Sequence, residues 1–119
     1  MNYRIFIDDQ RFPTSPDWMI ARTSYDAIYF VSNWGMPNEI AFDHDLGGRD
    51  TSIAFIYWML DYLLDNNIKF PVGFKYSVHS QNPVGAKNIR IMMDNIIDEI
   101  GHEKMKIGEL DKLFNYIGE

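Results

Sequence analysis

Three short stretches carry side chains able to do chemistry. "IDD" sets Asp8 and Asp9 side by side, "FDHDLGG" joins Asp43, His44 and Asp45 ahead of two glycines, and "VHSQNP" brings His79, Ser80 and Asn82. Carboxylates are hard oxygen donors suited to Mg2+, Mn2+ or Ca2+, and imidazole exchanges protons near neutral pH. Asp8, Asp9 and Asp43 would form a cation-binding cluster if the segments bearing them are neighbours. Without a cation, like charges that close push one carboxyl toward its protonated form.

His79 is the stronger candidate for general acid and base, with His44 and Asp45 assisting. Ser80 and Asn82, just before Pro83, offer donors and a helix N-terminus to an anion such as phosphate, and Arg11 and Arg22 could clamp it by bidentate contact. Each group also has a plainer role. Acids cap helices and solvate loops, single histidines pack, Asn-Pro is an ordinary helix start, and arginines pair with carboxylates in an acid-rich chain. Leu46–Gly48 lacks the spacing of a phosphate-cradling loop and reads as a tight turn.

The elements that must position these residues follow from periodicity. Tyr3–Ile7 is an apolar, β-favouring run that exits into Asp8 and Asp9. Pro13 and Pro16 make the next segment a loop, and Trp18–Thr23 reads as a second strand. Thr23 and Asp26 form a capping-box pattern ahead of Ala27, Ile28, Val31 and Trp34, and Gly35 ends that helix. Glu39–Asp43 is a third strand, and Asp50 or Thr51 can cap a helix over residues 51–67 in which Phe55, Tyr57 and Trp58 read as core. Residues 72–80 form a fourth strand. Asn82 caps a helix opening on Pro83, with Ile89, Met92, Met93, Ile96, Ile97 and Ile100 at helical spacing and Gly101 as its stop. A last helix is expected over Glu103–Tyr116, with Ile107, Leu110, Leu113, Phe114 and Ile117 on one face and Lys104, Lys106 and Lys112 solvated.

Strands alternating with helices imply a parallel sheet covered on both faces, and in such sheets ligands bind beyond the carboxyl ends of the strands. All three chemical stretches lie at such exits. The chain, 119 residues with 46% apolar and 15% aromatic side chains, suffices for one domain and one core. A net charge of −6 with no basic run argues against an extended nucleic-acid surface, while one RNA or nucleotide end could still enter a local pocket. The chain has no cysteine, so a metal would take oxygen or imidazole ligands, and a cytoplasmic setting is expected. No apolar stretch reaches the roughly 18 residues of a membrane span.

The acidic pair after the first strand, the Asp after the third and the Ser after the fourth resemble the layout of response-regulator receiver domains. More specifically, "IDDQRFP", "WMIART", "FDHDLGG" and "VHSQNPVGAKNI" resemble the cyclic-phosphate-processing receiver family, an offshoot met in bacteria and phages. The resemblance implies a three-layer receiver-like, flavodoxin-like fold: four to five mainly parallel strands, a loop in place of the first helix, and an extra C-terminal helix. It implies Mg2+, with Mn2+ as the alternative, on Asp8, Asp9 and Asp43, and His44, Asp45, His79, Ser80 and Asn82 as additions to the signalling pattern. The implied activity is metal-dependent hydrolysis of a cyclic or terminal phosphate on RNA or a nucleotide, in RNA repair or phage–host conflict. The alternatives are a non-catalytic module that sequesters such a ligand and a receiver phosphorylated on Asp43. Against the last, no fifth strand ends in the lysine that signalling receivers use.

Overall fold

The computed structural model describes residues 2–105. Four strands, β1 (Arg4–Ile7), β2 (Met19–Ala21), β3 (Glu39–Phe42) and β4 (Lys75–Val78), alternate with three helices, α1 (Ser24–Trp34), α2 (Ser52–Asp65) and α3 (Pro83–Ile100). Every strand pair is parallel, and the sheet order is β2-β1-β3-β4. The chain steps from β1 outward to β2, then crosses back to lay β3 on the other side of β1. Strand order therefore reverses between β1 and β3, the position where open α/β sheets leave a crevice at their carboxyl ends. Asp8 and Asp43 are the first residues beyond those two strands.

Register divides the side chains into two faces. Ile5 and Ile7 lie level with Ile40 and Phe42, which lie level with Tyr76 and Val78. With Ala27 and Val31 of α1, Phe55, Met59 and Leu63 of α2, and Ile89 and Met93 of α3, they form one core. All three helices thus pack on this single face. The opposite face carries Phe6, Ala41, Ser77 and His79, and the loop between β1 and β2 lies over it. Among the described residues the third layer is that loop and not a helix, which narrows the expectation of a sheet covered on both faces. Pro13 and Pro16 disfavour a helix there.

The helix termini follow from their caps. Thr23 accepts a hydrogen bond from the Asp26 amide at the start of α1, and Asn82 accepts one from Gly85 at the start of α3. Thr51 stands in the cap position of α2 with extended backbone but makes no side-chain cap bond. Asp50, expected to cap α2, reaches across to α1, where its carboxylate accepts from the Ser24 amide at 2.8 Å and from the Ser24 hydroxyl at 2.5 Å. A carboxylate there also meets the positive end of the α1 dipole. Asp50→Ala is expected to cost about 1 kcal/mol, read as a lower midpoint in urea at unchanged m-value; an unshifted midpoint would show the contact contributes nothing.

Three further elements differ from the sequence reading. β4 begins only at Lys75, because Gly73 at φ 75° completes a turn closed by the Phe74 amide on the Pro71 carbonyl. Tyr57 is exposed, whereas Phe55 is buried beside a partly buried Trp58. Glu103 starts no helix: residues 101–103 instead pair with Phe70, whose amide donates to the Gly101 carbonyl and whose carbonyl accepts from the Glu103 amide. The rest of the expected terminal helix lies outside the described residues. Among those residues the sheet has four strands, and no helix is long and apolar enough to cross a membrane.

Candidate functional site

Short strands that stop where the core ends leave their next residues at one edge of the sheet. There Asp8, Asp9 and Asp43 converge, each offering a carboxylate oxygen within 4.8 Å of the other two. Asp8 is buried at 1% exposure and Asp43 at 8%, while Asp9 is partly open. They line a cleft of about 310 Å³ together with Gln10, Arg11, Asp45, Ser80, Gln81 and Asn82.

Buried carboxylates need partners, and here the partners are specific. One Asp8 oxygen accepts the Gln10 and Arg11 amides at 2.9 and 2.8 Å, which folds the exit of β1 into a turn. The other lies 2.9 Å from Arg11 Nε and 3.0 Å from His79 Nε2. Burial pushes the Asp8 carboxyl up, but the two amides, the Arg11 guanidinium and His79 more than offset it and hold it below the usual carboxylate range. An ionised Asp8 can only accept, so His79 Nε2 carries the ring proton and Nδ1 is left as the basic nitrogen. The ring itself is stacked on Phe6 at 4.6 Å.

Because Asp8 titrates lower folded than unfolded, it stabilises the fold at and above an unfolded pKa of about 3.9. That contribution disappears as pH falls through the folded value. Denaturant titrations between pH 2 and 5 are expected to show a shallower acid-induced loss for Asp8→Asn than for the parent. Parallel curves would remove Asp8 from the acid transition.

The remaining residues divide into those in the cleft and those beside it. Arg11, expected to hold phosphate, bridges the acids, with Nη2 3.4 Å from Asp43 and 3.1 Å from the His79 carbonyl. Arg22 lies outside the cleft lining. Its Nη1 donates to the Asp8 and Arg11 carbonyls at 2.9 and 2.6 Å, and its guanidinium sits 4.5 Å over the Phe12 ring. In this arrangement Arg22 straps the β1–β2 loop. His44 also lies outside the cleft lining: its ring packs on Gly85, and Nδ1 meets Asp45 at 3.0 Å. Asp45 does line the cleft. The hydrogen bonds from His44 and then Asn82 lower its pKa against a small opposing effect of burial.

Ser80 accepts the Asn82 amide and keeps a hydroxyl proton to donate. Both ends of the Asn82 side chain are engaged, Oδ1 by the Gly85 amide and Nδ2 by Asp45, so it builds the cleft wall and keeps one Nδ2 proton to donate. Sequence reasoning missed Gln81 in the lining and the stacking of His79 on Phe6. The alternation from Lys75 through Ser77 to His79, level with the Phe6 face, is the signal that could have revealed the stack. Among the described residues no lysine lines the cleft.

The chemical character is a preassembled set of hard oxygen donors, one imidazole hydrogen-bonded beside them, and one arginine bridging Asp8 and Asp43. Three acids with converging oxygens fit a divalent cation, and Arg11 supplies the positive charge that holds them together here. A family model described as the cyclic-phosphate processing receiver domain matches residues 3–95. No curated protein and no solved structure matches the chain.

Proposed function

Since the chain belongs to the cyclic-phosphate processing receiver family, we propose that it opens a cyclic phosphate, or removes a terminal one, on a nucleotide or RNA end. The observation that carries this reading is the convergence of Asp8, Asp9 and Asp43 in one open cleft, with His79 hydrogen-bonded to Asp8 from the neighbouring wall. Asp8, Asp9 and Asp43 would hold the cation, Mg2+ by the hardness of its ligands, with Mn2+ as the alternative. A cation so held neutralises phosphoryl oxygens and acidifies water.

The chain's own residues do the rest. His79 Nδ1 takes the proton of the attacking water as its oxygen bonds to phosphorus, and the ring returns a proton to the ribose oxygen that leaves. Asp8 fixes the tautomer that makes this possible. Ser80 donates to a phosphoryl oxygen, and Arg11 swings from Asp43 to the phosphate once the acids are neutralised otherwise. Asp45 flanks the cleft and assists.

The test is incubation with nucleoside 2′,3′-cyclic phosphates and Mg2+ or Mn2+, following conversion to the monophosphate. Turnover abolished by chelation and by Asp43→Asn supports the reading; a parent protein without turnover, or an equally active Asp43→Asn, overturns it. One observation favours a second reading. Arg11 already neutralises Asp8 and Asp43, so a phosphate ligand could be held without metal and without chemistry. Calorimetry giving tight, metal-independent binding with the ligand recovered intact would establish that sequestering role.

A further inference from the structure

The sheet face that no described helix covers carries a second cleft, of about 350 Å³, which shares Arg11 with the acidic cleft and is walled by His79. Its other walls are apolar and aromatic. Phe6 and Ala41 form the floor, Trp18 stands edge-on to Phe6 at 6.0 Å, and Phe12 rises from the loop. Phe12 is 73% exposed, an unusual cost for a phenyl ring, yet it is not loose. Arg22, pinned by two backbone carbonyls, lies over one face of it. The loop that replaces a helix thus holds an exposed aromatic plane in a fixed posture. Ser77 is exposed beside the floor, and its hydroxyl has no hydrogen-bond partner among the described residues, so it is available to a polar edge.

We propose that this cleft receives the nucleobase of a nucleoside cyclic phosphate whose phosphate lies in the acidic cleft. The inference rests on the function proposed above and deepens it by naming the substrate class. One ribose carries both base and phosphate, so their two sites must be separated by about one side chain, and Arg11 is that side chain. Size and lining fit a flat aromatic ligand. Stacking on Phe12 and Trp18 tolerates any base, while Ser77 and Thr14 supply donors and acceptors to its edge. The apolar walls would gain nothing from the phosphate alone, so the base contributes affinity that a bare cyclic phosphate lacks.

The experiment compares the full-length protein and Phe12→Ala on a nucleoside 2′,3′-cyclic phosphate and on ribose 2′,3′-cyclic phosphate, which has no base. In parallel, calorimetry compares binding of adenosine 3′-monophosphate and ribose 5-phosphate. The parent is expected to prefer the base-bearing compound in both assays. Phe12→Ala should shrink that preference by about 5- to 150-fold, the range that base stacking commands, and Phe12→Trp should restore it. A preference that is absent in the parent, or that Phe12→Ala leaves unmoved, overturns the base site while hydrolysis stands. Nucleotide binding that depends on Phe12, without turnover of either cyclic phosphate, retains the base site and overturns hydrolysis. A lower melting temperature for Phe12→Ala with nucleotide binding unchanged would mark the cleft as a seat for another part of the chain, and would overturn the proposal.

Discussion

His79→Gln is expected to lower kcat on a cyclic phosphate by roughly 10²- to 10⁴-fold, the span that a positioned general acid–base group contributes. Glutamine is the informative replacement. It is neutral, it retains an N–H for Asp8 and it keeps a planar group over Phe6, so the buried carboxylate is not orphaned. It cannot carry a proton between water and a leaving oxygen. The melting temperature should therefore stay near that of the parent while kcat falls. His79→Ala would mix the loss of chemistry with that of the Asp8 hydrogen bond and the stack. Retention of more than a tenth of the parent kcat by a folded His79→Gln would remove His79 from proton transfer and leave it a positioning residue for Asp8.

The second large effect comes from a residue with no side chain. Gly85, in the first turn of α3, is buried, and a Cβ there would lie 2.4 Å from Cγ of His44 and 2.6 Å from its Cδ2. In an exposed helix, Ala would be favoured over Gly by about 1 kcal/mol. Here the ring must move, and overpacking a buried site costs about 1–3 kcal/mol. Displacing it breaks the Nδ1 contact to Asp45 and unsettles the Asp45–Asn82 bond that joins the β3 exit to the cap of α3. Gly85→Ala is expected to lower the melting temperature by several degrees, about 4–8 °C per kcal/mol for a domain this size. His44→Ala combined with Gly85→Ala should cost less than the sum of the two, since removing the His44 ring removes what the new Cβ at position 85 collides with. Additive losses would refute the steric account.

The strands and helices were legible because their apolar periods are strong and their punctuation is explicit: Thr23 before α1, Asn82-Pro83 before α3, and Gly35 and Gly101 after them. Asp8, Asp9 and Asp43 were legible as a cluster for the same reason, since a parallel sheet aligns the ends of its strands. What the sequence did not disclose is where long side chains spend their hydrogen bonds. Arg11 and Arg22 are chemically identical candidates for phosphate, and only the turn at Asp8 decides that one enters the acids while the other straps the loop. The packing of His44 was not legible because its environment depends on Gly85, distant in sequence and silent in any pattern. Asp50 or Thr51 could each open the nearer helix by pattern; the fold gives that position to Thr51 and brings the start of α1 to the Asp50 carboxylate.

The sheet order has a further consequence for how this chain comes into being on the ribosome. β1 is central, bonded to β2 on one edge and β3 on the other, yet it is synthesised before both. About 35 residues separate the end of β1 from the end of β3, roughly 2–7 s of translation at ordinary elongation rates. For that interval the sticky run Tyr3–Ile7 has at least one open edge. The two aspartates that follow it place charge beside that edge, where charge discourages pairing with a stranger. The acids that form the candidate site in the finished protein thus serve earlier as gatekeepers of the nascent one.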